Sequence, residues 1–553
     1  MKNITLRTMK NIALKIKNGA GKALSIALVL LLATFGCTKD FEAMNLNPAG
    51  LTETEAGDAL IASFLVQAQR AVVPGSAWEG YQLTNNLASE AYAGYFASQN
   101  PFGGGSNNLT YNLVPGWYKA IWDEKYIRAT NPIYQVEQQS RDNKGLEDIF
   151  GFAKLLKVAA MHRVSDKNGP IIYSRYNKPN ANGGIDYDGE EALFGHYFRD
   201  LDTAVAIFKA IRNDPASSAM AVSDAGYDSD PYARYLKIAN TLRLRLAMRI
   251  ALVDPAEAKT QGEKALEPAN GGLLEDTADN WSVSLTGDHP LNTITTAWSD
   301  TRMHASMEAY LKGYNDPRLE KRWLPATDPA VAGQYKGIRT GIKIDQKSRY
   351  ENYSKLRPLA NRMQLMVASE AWFLRAEAAL RGWTNAGDAK TNYETGVRRS
   401  FEMHGLSDAQ ATAYLADAIS RPAEYLDPNA LSPGENDVLN GSPYLSTVTI
   451  AWDNAATNDR KLERIITQKW LAIFPDGDEA WAEYRRTGYP ILFPVIKNDS
   501  NGTIDSATGI RRLPFPPREY NTNRAAVDAA IVLLGGPDHG GTRLWWDVAN
   551  KSF

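Results

Sequence analysis

Apolar residues in this chain recur at three- and four-residue steps, and that period commits most of it to helices. Between 193 and 211 the stripe is Leu193, Tyr197, Leu201, Ala204, Val205, Phe208 and Ile211, as expected of a helix with one buried face. Comparable stripes run near 59–72, 81–96, 149–164, 363–383 and 462–474, the last through Leu462, Ile465, Ile466, Trp470, Ile473 and Phe474. Strict alternation is scarce. Leu242–Leu246 alternates with arginines, yet Ile238, Leu242, Leu246 and Ile250 also fit a helix and no turn residues flank it.

The segments Met363–Trp383 and Ala386–His404 read as a helix–turn–helix pair, with Ala376, Ala379, Ala389 and Gly396 where two helices can approach closely. No strict 34-residue period runs through the chain, so any such repeat is degenerate. Between the helical stretches lie Gly-, Asn- and Pro-rich connections at 99–116, 165–189, 270–300, 325–358, 422–458 and 498–523. Loops of this length are usually functional or carry small elements of their own. The predicted fold class is mainly α: a single large helical domain, residues 51–553, with degenerate TPR-like helix pairs and long irregular loops carrying short strands.

The N-terminal region reads as an address. Residues 1–22 are polar and basic, Ala23–Gly36 is a run of fourteen mostly apolar residues, and Cys37, the single cysteine, follows directly. A basic-then-apolar order is that of a secretory signal, and fourteen residues are too few for a membrane-spanning helix, which needs ~20. With one cysteine, intrachain disulfides and multi-cysteine metal sites are impossible. The formal net charge is −2, but residues 1–36 hold six of the 61 Lys and Arg and none of the 63 Asp and Glu, leaving 55 basic against 63 acidic residues. That balance disfavours a nucleic-acid partner.

Thr34-Phe35-Gly36-Cys37 resembles a bacterial lipobox, although Thr34 stands where leucine is usual. The resemblance implies a signal peptide at 1–36, fatty acylation of Cys37 and a tether at 37–50; two or three acyl chains suffice for stable anchoring. Thr38-Lys39-Asp40-Phe41-Glu42 resembles the export signal of surface lipoproteins. Behind it come Asp166–Tyr173, Tyr187-Asp188, Asp230 through Ala239–Ile250, Asn315–Leu319, Phe373–Ala378 with Gly382-Trp383, Gln468–Trp470, Glu479–Trp481 with Tyr484–Pro490, and Pro514–Pro516 before Glu519–Asn521. In this order they resemble the SusD/RagB-like outer-membrane lipoproteins, nutrient-binding partners of TonB-dependent transporters. The resemblance implies a lipid-anchored protein of the cell outer membrane, facing the exterior, that captures an oligosaccharide and delivers it to a SusC-like transporter. Alternatives are a peptide ligand on the same scaffold, a glycan hydrolase, or a scaffold binding only proteins.

Most of these motifs also have structural readings. Asn315-Asp316-Pro317 is a turn that stops a helix over 302–312. Arg243, Arg245, Arg249, Arg485 and Arg486 sit in apolar segments, where a guanidinium needs carboxylate or carbonyl partners; Glu479 reads as one such partner and Trp481 as core. The six histidines show no His-Glu-x-x-His spacing, and neither a Gly-x-Ser-x-Gly elbow nor a phosphate-binding loop is present in the mature region. Asp224, Asp228 and Asp230 cluster without EF-hand spacing. No catalytic residue, metal or cofactor is assigned.

Carbohydrate is held by rings stacked on sugar C–H faces, with amide, carboxylate and guanidinium groups on the hydroxyls. Among 13 tryptophans and 26 tyrosines, those beside long connections are the candidates: Trp78, Tyr81, Phe102, Trp281, Trp298 and Trp323. The family resemblance points to loops near 75–110 and 280–325. Asn107, Asn108, Asp300 and Arg302 are the accompanying polar candidates, Arg302 as a bidentate partner for an acidic ligand. Packing competes with this reading at every position, since tryptophan is highly buried on average. Replacing the anchor residue, Cys37→Ala, is expected to release an unlipidated protein from the membrane fraction; unchanged partitioning and an acylated N-terminus by mass spectrometry would contradict it.

Overall fold

The computed structural model describes residues 57–223 and 230–553. The expected signal peptide and tether, Cys37, Asp224 and Asp228 lie outside the described residues. Residues Ile61–Phe553 form one compact unit. Its principal helices are α1 (Gly57–Ala71), α2 (Pro115–Lys125), α3 (Asn131–Ser140), α4 (Glu147–Asn168), α5 (Glu190–Ala210), α6 (Pro231–Arg249), α7 (Pro255–Leu266), α8 (Ala305–Gly313), α9 (Ala368–Leu380), α10 (Ala389–Met403), α11 (Asp408–Leu415), α12 (Asn458–Ala472), α13 (Gly477–Thr487) and α14 (Arg524–Leu534). Among the described residues, extended structure is confined to two antiparallel two-stranded ladders and isolated bridges. The strands are β1 (Phe96–Ala97), β2 (Trp281–Ser284), β3 (Arg302–Met303) and β4 (Arg362–Met366), with β1 paired to β3 and β2 to β4.

Neighbouring helices pack in pairs: α3 on α4, α4 on α5, α6 on α7, and α9 on α10, while α6 also packs on α5 and α9, and α12 on α9 and α10. Every residue of the 193–211 stripe is buried, as is every residue of the 462–474 stripe. Leu242–Leu246 is helical, inside α6. At the α9–α10 crossing, a Cβ on Gly396 would come within 2.8–3.0 Å of the Phe373 ring, so the small residue expected there is required by the packing. The preceding expectation is corrected at one end. Met363–Met366 belongs to β4, not to a helix, because it pairs with β2 in the register Ser282–Gln364 and Val283–Met363. The helix expected over 302–312 likewise begins only at Ala305, since Arg302-Met303 pairs with β1. It ends as expected, with Asn315 in the left-handed region at φ 49°. Asp230 caps the start of α6 and pairs with Arg212.

Where α4, α6, α9, α12 and α13 converge, the core carries a network of buried charges. Arg245 donates to both oxygens of Glu370 at 2.8 and 2.6 Å. Arg249 reaches Glu479 at 2.5 Å and Glu483 at 2.9 Å, and Lys469 donates to Glu479 at 2.8 Å. Arg486 holds both oxygens of Glu377 at 2.7 Å, and Arg163 holds Asp476 at 2.7 and 2.8 Å. Arg243 pairs with Asp202 at 2.6 Å. Arg485 finds carbonyls instead, of Trp481 and Arg511, and lies on the buried Trp481 ring at 3.6 Å. The arginines singled out by their apolar surroundings are thus scaffold residues.

Burial raises the Glu377 carboxyl, but Arg486 and Arg381 outweigh it and hold the group at about 2. Burial is similarly outweighed at Glu479 by Arg249, Lys469 and Arg245, which hold it well below its ordinary value. Depressed carboxyls stabilise the fold above their unfolded value and lose that contribution as pH falls. Acid denaturation should therefore set in below pH ~4.5 and deepen toward pH ~2. Glu479→Ala, which removes the shared carboxylate of Arg249 and Lys469 and leaves them their longer contacts to Glu483 and Glu370, is expected to cost about 3–5 kcal/mol at neutral pH; chemical denaturation showing under 1 kcal/mol would refute the network's role.

Candidate functional site

The β1–β3 ladder, Phe96 to Met303 and Ala97 to Arg302, joins the early connection to the central one. Trp78 and Trp298 meet beside this junction. Their rings contact edge to face, 6.0 Å between centroids at 81°. Trp78 is 55% exposed, while Trp298 is partly exposed and packs on its other side against the main hydrophobic core, so the pair presents aromatic surface to solvent chiefly through Trp78.

Local backbone geometry explains why Trp78 stands out. Pro74-Gly75-Ser76 ends α1's connection with Ser76 extended, and the kinked helical segment Ala77–Ser89 breaks at Trp78, whose φ −75°, ψ −110° is not helical. A Cβ on Gly80 would lie 1.9 Å from the Ser76 hydroxyl and 3.2 Å from its Cβ, so a larger residue there would require the Ser76 side chain to turn away. On the other side, Trp298 closes a short helical turn, its N–H donating to Thr293 at 3.0 Å, and Ser299 reverses the chain at φ 53°.

Asp300 fixes that loop. Its carboxylate accepts from Asn100 Nδ2 at 3.0 Å, Gln82 Nε2 at 3.2 Å and Lys347 Nζ at 3.1 Å. Lys347 also donates to the Trp298 carbonyl at 2.7 Å, and Gln99 donates to the Ser299 carbonyl. One carboxylate therefore ties the early loop, the central loop and the 325–358 connection under the two rings.

Of the remaining candidates, all but Phe102 are placed inside the fold. Arg302 is wholly buried and spends its guanidinium on the Glu351 and Thr301 carbonyls and the Ser299 hydroxyl. Burial lowers it to about 10, and no carboxylate ligand reaches it. Trp323 is core, against Phe96 and Phe474 at 5.5 and 5.6 Å; Trp281 is core at the start of β2. Tyr81 is buried with its hydroxyl on Glu90 and its ring edge-on to His289. Asn107 and Asn108 are buried turn residues: Asn107 accepts from Leu109 N–H and donates to the Phe102 carbonyl, and Asn108 accepts from Val114 N–H. Phe102 packs on Trp117 at 5.7 Å and is partly exposed. The glycines after it all take positive φ, 61°, 70° and 81°, a left-handed turn that any side chain would resist. Gln82, Gln99, Asn100 and Lys347 were not anticipated; their polar side chains carried no pattern to mark them.

A family model, SusD-like (Susd and RagB outer membrane lipoprotein), matches residues 43–547. The chain belongs to the SusD/RagB family. Among experimental structures, a chitin-binding SusD homologue from Flavobacterium johnsoniae is similar at 40% identity and TM-score 0.83, over 89% of this chain and 100% of that one. SusD homologues from Bacteroides vulgatus and Bacteroides thetaiotaomicron are each similar at 34% identity and TM-score 0.81, over 89% of this chain and 98% and 100% of theirs. A comparison with curated proteins finds no match. These are relatives of an outer-membrane lipoprotein family with the expected helical fold, and no helix among the described residues is long and apolar enough to cross a membrane.

Asp300 acts on the platform through the loop beneath it. Asp300→Ala should therefore destabilise the fold by about 1–3 kcal/mol, the cost of unpairing buried polar partners, and should increase acrylamide quenching of Trp298. Unchanged stability and quenching would remove Asp300 from that role.

Proposed function

We propose that this SusD-family protein captures an oligosaccharide at the Trp78–Trp298 platform. The observation that carries the reading is the edge-to-face tryptophan pair, Trp78 exposed and Trp298 partly so, on loops tied together by Asp300 in a scaffold similar to that of a chitin-binding relative. One ring offers a face to the C–H side of a pyranose while the other abuts its edge, and the neighbouring side chains of Asn100 and Lys347 offer donors for hydroxyl or acetamido oxygens. Likeness to the chitin-binding homologue makes a β-1,4-linked N-acetylglucosamine oligomer the first ligand to test.

The role needs no bond cleavage. Acylated at Cys37, with residues 1–36 removed and 37–50 as a tether, the helical body would sit on the outer face of the outer membrane. It would hold its glycan over a TonB-dependent transporter of the SusC-like kind and hand it on. The peptide alternative calls for a pocket lined mainly by backbone donors and charges such as Arg302, and the burial of that guanidinium removes one of those charges.

Isothermal titration with chitin oligosaccharides should show saturable binding. Trp78→Ala and Trp298→Ala should each weaken it by about 1–3 kcal/mol, roughly 5- to 150-fold. Wild-type affinity in both variants would remove the platform from the site, and progressive shortening of the oligosaccharide by pure protein would replace binding with hydrolysis.

A further inference from the structure

A cleft of about 280 Å³ opens where α3, α4 and α5 meet the 165–189 connection, and neither Trp78 nor Trp298 contributes to it. That volume is near the lower end of the ~300–1,000 Å³ usual for small-molecule sites. Charged side chains line it: Glu137 from α3, Lys154 and Lys157 from α4, and Asp200 from α5. Lys154 bridges the two carboxylates, 2.9 Å from Glu137 and 3.1 Å from Asp200. Burial lowers the Lys154 ammonium, but Glu137 and Asp200 outweigh it and raise the group. Asp200 also accepts from the Tyr173 hydroxyl at 2.6 Å. Both carboxylates are therefore spent within the fold.

Lys157 is left over. Its side chain is only 14% exposed, yet its one carboxylate neighbour is Glu137 at 3.7 Å, beyond hydrogen-bonding distance and already shared with Lys154. The ammonium otherwise lies over the Tyr173 ring, 4.4 Å from its centre. It is not among the polar atoms sealed from water without a partner, so its donors open on the cleft. At the rim, Arg141 and Lys178 are exposed, and Arg141 pairs with no carboxylate among the described residues. His196, also in the lining, accepts from Arg199 at Nδ1 at 2.8 Å and is neutral. Four cations, Arg141, Lys154, Lys157 and Lys178, thus face two carboxylates in a chain that is net acidic.

Three tyrosines complete the lining. Tyr173 is covered by Lys157, and Tyr176 stacks on Tyr126 at 6.1 Å. Tyr134 is partly exposed and meets Tyr176 edge to face at 5.6 Å, which leaves its ring as the open wall. We propose that this cleft binds a hexuronic acid unit, its carboxylate on Lys157 Nζ and one face of its pyranose against Tyr134. An ammonium whose protons lack acceptors favours a carboxylate over a neutral group. Walls of paired carboxylate and ammonium suit a body that carries hydroxyls and disfavour a hydrocarbon one. The site is separate from the tryptophan platform and does not rest on the reading given for it.

The test is a titration of methyl β-glucuronide into the purified full chain, followed by saturation-transfer NMR, with methyl β-glucoside run in parallel and inorganic phosphate as a competitor. Saturable binding of the glucuronide is expected, at least tenfold tighter than that of the glucoside and poorly displaced by phosphate. Lys157→Met should weaken it at least tenfold and Tyr134→Ala at least fivefold, each variant checked for folding by circular dichroism. Trp78→Ala should leave the affinity within twofold, so failure at the platform and failure here are read separately. Absence of saturable binding, equal affinity for the glucoside, or displacement by phosphate as effective as by the glucuronide itself would each overturn the proposal. So would wild-type affinity in either folded variant, or loss of binding in Trp78→Ala.

Discussion

Charge buried at the meeting of five helices is the constraint around which the rest is arranged. Glu479, at the start of α13, accepts from Arg249 on α6 and Lys469 on α12, while Glu370 on α9 receives Arg245. Such groups are tolerable in the interior only when their partners sit at hydrogen-bonding distance and in the right direction. Hydrophobic stripes bring helices together but allow them to slide or rotate; a fork of two parallel N–H···O bonds does not. The network therefore fixes the register of α6, α9, α12 and α13, and Arg163 with Asp476 extends it to α4.

With the register fixed, the connections are free to vary. The same division appears at the platform on a smaller scale. A two-residue ladder and one carboxylate hold loops far apart in sequence so that two indole rings meet at the surface. Binding that depends on two rings needs their relative angle set beforehand, because ordering them on contact would consume part of the affinity. Asp300, Lys347 and Gln99 supply that order, and their placement at loop bases rather than on the exposed rings keeps the platform's face apolar.

The helices were legible in the sequence because a 3.6-residue period is a local property, and the stripes at 193–211 and 462–474 are buried throughout. So were the arginines, since guanidinium groups in apolar segments demand partners wherever the chain places them. Met363–Met366 was misread because its strand character comes from β2, a partner distant in sequence. Proximity to a loop could not separate the exposed Trp78 from Trp323, which Phe96 and Phe474 enclose. Arg302 misled for the same reason: its carbonyl partners include Glu351, in another connection. Exposure of an aromatic ring is decided by contacts that no spacing rule records.

The account describes a preordered surface that holds a glycan by its face. Saturation-transfer NMR of a chitin oligosaccharide with the wild-type protein tests this most directly. Transfer concentrated on the ring protons of one sugar face and on the acetyl methyls, with no new reducing ends over the experiment, is the expected result. Absent or evenly spread transfer, or the appearance of shorter sugars, would contradict it.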